Sequence, residues 1–302
     1  MYALEIKDLH KKYWENHVLK WVSFEIKSWD FFALLWHNWA WKTTVISILT
    51  NLVNKTSWEI KINGVSIDEN FAEARTNIWV VPQEFNFDIF AKVIDIVVNQ
   101  AWFYGIPKKE ALERAEFYLK KLELWDKRNM ASRTLSGWMK RRLMIVRALI
   151  HKPKILILDE PTAGVDVELR ASMWEFIKEL NESGTTILLT THYLEEVEAL
   201  CNQVVILNKW DVVENTTTKK LLKTLDKETV ILSTKEEKII IPSILQEKYE
   251  ASHSDEHEIQ VIISKQDSIN DLFQILNENK IEITSFRNKT NRLEALFMNM
   301  TK

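Results

Sequence analysis

A few separated residue groups in this chain have the types and spacing needed to hold a phosphate anion and to move a proton beside it. Lys42 and Thr43 place an ammonium next to a hydroxyl, with Thr44 behind them and the run Trp36-His37-Asn38-Trp39-Ala40-Trp41 in front. That is the frame of a phosphate-binding loop, G-x-x-x-x-G-K-[ST], with Trp36 and Trp41 in its two glycine slots. Such a loop turns successive backbone N–H groups toward phosphate oxygens, and glycine permits both the positive φ angles and the close approach. An indole there fills the nest. Further along, Asp159 and Glu160 close the apolar stretch of LILDEPT, Gln83 follows VVP, His192 follows ILLTT, and Ser136-Gly137 precede WMKRRLMIV. Paired carboxylates suit a metal ion and a general base.

These groups need elements that deliver them to one place. Phe31 to Leu35 reads as a buried strand, and Thr43 to Leu52 as a helix whose positive N-terminus faces the anion. Residues 155–159 and 186–190 read as buried parallel strands, which present their C-terminal ends at the ligand edge of an α/β sheet. Strands at 2–7, 22–27 and 58–62 surround the loop, with Asn63-Gly64 as a hairpin dipeptide. Ser136 is the N-cap candidate of an amphipathic helix, and Pro107 opens another in a helix-rich interval from about 90 to 150. Beyond Leu225 short strands (229–232, 238–241, 258–263, 281–286) alternate with helices (243–249, 268–279, 292–299), the pattern of a small α/β accessory domain.

Taken in order, these motifs resemble those of the ATP-binding subunits of ABC transporters. The resemblance runs from Tyr2 to Leu225 and rests on Tyr13, the 36–44 frame, Gln83 in VVPQE, LSGWM at 135–139, LILDEPT at 156–162 and His192. AGVD at 163–166 and TTHYLEEVEALC at 190–201 fit the same family, in its single-cassette form paired with a separate permease, often for export. It implies a P-loop NTPase fold of the ABC ATPase type: a parallel core sheet, an antiparallel β subdomain and a helical subdomain at about 86–151. The ATP-binding domain would be 1–225 and the accessory domain 226–302.

The resemblance also implies the site. ATP would be bound by Tyr13 against adenine, by residues 36–44, and by Ser136 and Gly137 acting on the ATP of a facing subunit. Thr43, Gln83 and Asp159 would hold Mg²⁺. Glu160 would act on the attacking water, Gln83 would sense the γ-phosphate, and His192 would bridge it to the second subunit of a homodimer. The partner would be an integral membrane permease, contacted near Phe85, Phe87 and Phe90, with the chain on the cytoplasmic face of the cell membrane.

Composition fits that expectation. A net charge of −3 gives no global drive toward nucleic acid or anionic lipid. The longest apolar run, Phe31 to Trp36, is far short of the roughly 18 residues of a spanning helix. The single cysteine, Cys201, rules out an internal disulfide framework.

Eleven of the 13 tryptophans stand where the family or the local turn calls for glycine: Trp14, Trp21, Trp29, Trp36, Trp39, Trp41, Trp58, Trp79, Trp102, Trp138 and Trp210. Only Trp125 and Trp174 read as ordinary tryptophans. The chain has 5 glycines in 302 residues, well below the usual share of about 7%. Random decay of a dead gene would also have struck Lys42, Thr43, Asp159 and Glu160. Base-stacking tryptophans would explain one or two sites, not eleven. The remaining explanation is a conceptual translation in which UGA was read as tryptophan while the cell reads it as glycine. Two other functions stay open on sequence grounds: a nucleotide-dead scaffold if the tryptophans are real, and an ABC ATPase of translation or DNA repair working without a permease.

Overall fold

The computed structural model describes residues 1–14, 16–36, 39–50, 53, 57–208, 211–224, 227–237, 239–264, 266–289 and 293; at residues 13, 16, 39–43, 57, 58 and 167 it describes the backbone alone. His37, Asn38 and Trp210 therefore lie outside the described residues, as do the side chains of Tyr13, Trp39, Ala40, Trp41, Lys42 and Thr43. The chain divides into two compact units, Met1–Thr216 and Thr217–Lys302. The division falls ahead of the expected residue 225, because Thr217 caps a short helix that goes with the second unit.

The first unit runs β1 (Tyr2–Tyr13), β2 (Asn16–Lys27), β3 (Phe31–Trp36), α1 (Trp39–Leu49), β4 (Ser57–Ile62), β5 (Val65–Ser66), α2 (Phe71–Thr76), β6 (Ile78–Val81), α3 (Val93–Phe103), α4 (Lys108–Lys121), α5 (Gly137–Leu149), β7 (Ile155–Asp159), α6 (Val167–Glu182), β8 (Thr186–Thr190), α7 (Leu194–Leu200), β9 (Gln203–Asn208) and β10 (Asp211–Thr217). Two sheets form. An antiparallel one has the order β2-β1-β4-β5, and a six-stranded one the order β10-β9-β3-β8-β7-β6. Within the second sheet, β9, β3, β8, β7 and β6 run parallel.

The chemistry of the strands explains this split. Along β1, Leu4 and Ile6 are buried while Glu5 and Lys7 are not, the period-two pattern of a sheet with one covered face, and a register shift after Ile6 resets the phase so that Leu9 is buried too. The cores of β3, β7 and β8 are apolar at nearly every position, as strands covered on both faces must be. Leu34, Ile157, Leu188 and Val205 are each at most 1% exposed, and burial stabilises each by about 1.5–3 kcal/mol. Between β4 and β5, Asn63 (φ +50°) and Gly64 (φ +81°) both adopt the left-handed conformation that a two-residue hairpin turn requires.

The parallel order fixes where the motifs go. β3, β8, β7 and β6 end side by side, with Leu34 paired to Thr190, Asp159 to Thr190 and Val81 to Leu158. The phosphate-loop frame, His192, the Asp159-Glu160 pair and Gln83 follow those four ends. α1 begins at Trp39, four residues earlier than periodicity indicates, so residues 39–44 of the frame lie in its first turns.

The second unit contains α8 (Thr218–Lys223), β11 (Lys227–Thr234), α9 (Ser243–Tyr249), β12 (Ser252–Asp255), β13 (Glu258–Ser264), α10 (Ile269–Glu278) and β14 (Ile283–Asn288). Its antiparallel sheet has the order β12-β13-β11-β14, and Leu245, Tyr249, Leu272 and Leu276 share its buried cluster with Val230, Leu232 and Val261. The strand expected at 238–241 does not form over its described residues 239–241: Pro242 removes a donor, and Ile240 is 92% exposed. β12, all polar and exposed, carried no hydrophobic signal. Of the helix expected at 292–299, only residue 293 is described.

Candidate functional site

Glu160 is the best-defined side chain at the sheet edge. It follows β7 directly, is 3% exposed, and its N–H donates to the Thr190 carbonyl at 2.8 Å, so the β7 exit is tied to the end of β8. Its carboxylate Oε2 stands 2.7 Å from Nδ1 of the half-exposed His192. Its backbone has φ +50°, a left-handed conformation that costs a non-glycine residue about 1–2 kcal/mol. Strain of that kind persists where surrounding contacts hold it, as the Thr190 and Ala163 backbone hydrogen bonds do here.

Asp159, the preceding residue, accepts a hydrogen bond from Thr190 Oγ1 at 2.6 Å. The two carboxylates thus emerge at adjacent positions with different surroundings, Asp159 beside a hydroxyl and Glu160 beside an imidazole. The His192 ring also packs on Tyr193, centroids 4.0 Å apart, and Tyr193 N–H donates to Thr191 Oγ1 at 3.0 Å.

Gln83 lies just past β6, half-buried, and its carbonyl accepts from Arg141 Nη2 at 2.7 Å while Pro82 accepts from Nη1 at 2.7 Å. Arg141 comes from α5 and is 6% exposed. Burial pushes its guanidinium below the usual value, and the negative field of Asp159 and Glu160 opposes that. This arginine escaped the sequence reading, because one Arg in KRR looks like any solvated helix face. Arg147, two turns on, reaches Asn86 of the same loop.

Ser136 caps α5, its Oγ accepting from Met139 N–H at 3.2 Å, and Gly137 is the first helical residue. Among the described residues no hydrogen bond links either to Gln83, Asp159, Glu160 or His192. The structure joins Asp159, Glu160 and His192 where β7 and β8 end, connects the Gln83 loop to them through Arg141, and places Ser136-Gly137 at the N-terminus of α5. Tyr13 closes β1, and Thr44, 6% exposed, lies in the first turns of α1. A cavity of 610 Å³ borders α1, α2 and β6 and reaches Asp159, with Thr50, Arg75, Trp79 and Tyr104 in its lining.

One further carboxylate ties the site's supports together. Glu196, fully buried in α7, accepts from the hydroxyl of Thr162, two residues beyond Glu160, and from Trp174 Nε1 of α6 at 3.1 Å. Replacing Glu196 with leucine strands both donors and should lower folding stability by about 2 kcal/mol in denaturant unfolding. The Gln variant keeps an acceptor oxygen and should lose less stability than the leucine variant.

Comparison with known proteins adds to this geometry. The ABC transporter family profile matches residues 19–163. The chain is 32% identical over 304 residues to the linearmycin resistance ATP-binding protein LnrL of Bacillus subtilis, covering 99% of this chain and 98% of that protein. It is 36% identical over 205 residues to the Nod factor export ATP-binding protein I of Cupriavidus metallidurans, covering 68% of each. Among solved structures, an ATP binding subunit of an ABC transporter superposes with a TM-score of 0.68 at 28% identity, over 73% of this chain and 92% of that one. CbiO1 of Clostridium perfringens, part of the cbiONQ complex, gives 0.67 at 27%, over 74% and 91%.

Proposed function

This chain belongs to the ABC transporter ATP-binding family, and from that premise we propose that it hydrolyses ATP to drive export through a separate integral membrane permease. The observation that carries the hydrolytic reading is the Glu160 carboxylate, buried at the edge where four parallel strands end and 2.7 Å from His192. A buried carboxylate at that place is suited to accept the proton of a water attacking the γ-phosphorus, and His192 to steady that carboxylate and the phosphoryl oxygen facing it. Lys42 neutralises phosphate oxygens from the start of α1, whose positive end adds to the attraction. Tyr13 stacks on adenine.

An all-oxygen donor set of the Thr43 hydroxyl, the Asp159 carboxylate and the Gln83 side-chain carbonyl would fit Mg²⁺. When bound, the ion supplies neutralisation of charge on the phosphate oxygens. Asp159 is held for that role by Thr190 Oγ1. Gln83 senses the phosphate end of the site, and Arg141 clamps its loop to α5, so a change at Gln83 is carried to the helical part of the unit.

Ser136 and Gly137, at the N-terminus of α5, suit the ATP of a second copy in a head-to-tail homodimer. Phe85 and Phe90, 43% and 68% exposed beside Gln83, are the apolar surface offered to the permease. That assembly would sit on the inner, cytoplasmic face of the cell membrane; no helix among the described residues is long and apolar enough to cross it. The relatives named for export and for resistance support the outward direction, and LnrL, matched over nearly its whole length, supports the second unit as an accessory domain of such subunits. Co-expression with the membrane protein encoded beside its gene should bring the tagged chain into the detergent-extracted membrane fraction as a complex. Recovery of the chain free of any membrane protein would remove the transport reading.

A further inference from the structure

We infer that the natural chain carries glycine at residues 14, 21, 29, 36, 39, 41, 58, 79, 102, 138 and 210, and tryptophan only at 125 and 174. The inference deepens the reading of residues 36–44 as a phosphate cradle, yet most of what carries it lies outside that loop. The tryptophans sort into two kinds by what their backbone and indole do.

Three of the eleven have a backbone that glycine adopts freely and a bulky residue does not. Trp14, in the β1–β2 turn, has φ +55°; Trp21 has φ +54°; and Trp29 has φ +71°. Trp21 sits where the β1–β2 register slips between the Leu9–Val22 and Lys11–Leu19 pairs, a bulge, and a left-handed bulge position is a glycine position. Trp29 lies in the turn closed by Asp30 N–H to Lys27 carbonyl at 3.2 Å, between β2 and β3. Their indoles gain little for the strain, being 97%, 66% and 70% exposed. Other long side chains with positive φ, such as Glu123, Lys152 and Lys280, follow helix ends, where a solvated polar residue is the usual second choice to glycine.

Two more fail differently. Trp79 and Trp138 bury their indole N–H with no hydrogen-bond partner, each a desolvated donor. Trp79 also crowds the cavity beside Asp159 and presses on His151, at 5.1 Å between centroids; both nitrogens of His151 are buried without partners, and burial pushes its pKa down to about 4. Trp102 is 73% exposed on α3.

Trp125 and Trp174 behave as tryptophans do. Trp174 donates its indole N–H to buried Glu196, and Trp125, half-buried, has the Arg128 guanidinium 4.5 Å from its ring centroid and Lys120 Nζ at 5.6 Å. Left-handed backbone at Trp14, Trp21 and Trp29 and unpartnered indole donors at Trp79 and Trp138 set these five apart from Trp125 and Trp174, although Trp138 and Trp79 also have Arg142 and Arg147 at 4.9 and 5.9 Å from their ring centroids and Trp36 packs on the core. A single decoding difference, UGA translated as tryptophan on paper and as glycine in the cell, accounts for the division.

Two readouts test it without any use of ATP, so they stay separable from the hydrolytic reading. The gene should hold UGA at all eleven positions and UGG at 125 and 174; UGG at any of the eleven overturns the inference for that position, and at 14, 21 or 29 for the whole set. Peptide mass spectrometry of the protein made by its own cells should find glycine at 14, 21, 29, 36, 39 and 41, and tryptophan there overturns it. In chain made by a host that inserts tryptophan, Trp14→Gly, Trp21→Gly and Trp29→Gly should each raise the unfolding temperature by about 2–4 °C, whereas Trp174→Gly should lower it. A fall with all three turn variants would contradict the backbone argument.

Discussion

A chain carrying glycine at residues 36, 39, 41 and 138 should bind ATP roughly 100-fold or more tightly than the chain carrying tryptophan there. Lys42, Thr43, Asp159 and Glu160 are common to both, so the difference cannot come from charge. It comes from the backbone of the 36–44 frame, whose N–H groups a phosphate cradle must turn toward phosphate oxygens. Hydrogen bonds to a charged group are worth about 1.5–3 kcal/mol each, so losing two costs about 3–6 kcal/mol, which corresponds to the stated change or more. Trp138 adds a second obstacle at the N-terminus of α5, next to Ser136 and Gly137. Titration calorimetry of the two full-length proteins reads the effect directly. Equal affinities would mean that the indoles do not occupy the cradle.

Glu160→Gln in the glycine-bearing chain should lower ATP turnover by about 10²–10⁴-fold while leaving ATP affinity within a few-fold of the parent. The amide keeps the size of the buried side chain but cannot take a proton. Glu160 is 3% exposed, and its backbone N–H is bound to Thr190, so the substitution should not move the loop. ATP would then persist between two copies, and size-exclusion chromatography should show an ATP-dependent dimer that the parent forms only transiently. Unchanged turnover would assign the proton to another group and leave Glu160 a structural carboxylate.

Much of this site could be read along the chain because its parts are local. Four parallel strands end in four motifs, and the order β3-β8-β7-β6 places those ends together. A continuous apolar run such as Ile155 to Leu158 announces such a strand without further information. The features that sequence did not disclose are set by packing between distant segments. Arg141 reaches Pro82 and Gln83 across nearly sixty residues, and Glu196 gathers Thr162 and Trp174 from two other elements. The left-handed backbone at Glu160 follows from its hydrogen bonds to Thr190 and Ala163, which no residue preference signals. β2 extends six residues ahead of the expected start at Val22, because the bulge at Trp21 hides the alternation that pairs Leu19 with Lys11. The sequence at 239–241 misleads in the opposite direction: three isoleucines suggest a strand, but none forms before Pro242.

The most direct measurement is phosphate release from ATP by the glycine-bearing full-length chain, assayed beside its Glu160→Gln variant with Mg²⁺ present. Turnover by the parent, with a loss of at least about 100-fold in the variant, is the expected result. ATP bound by both proteins with no phosphate released by either would contradict the assignment of this chain as an ATPase, and equal release by both would contradict the site.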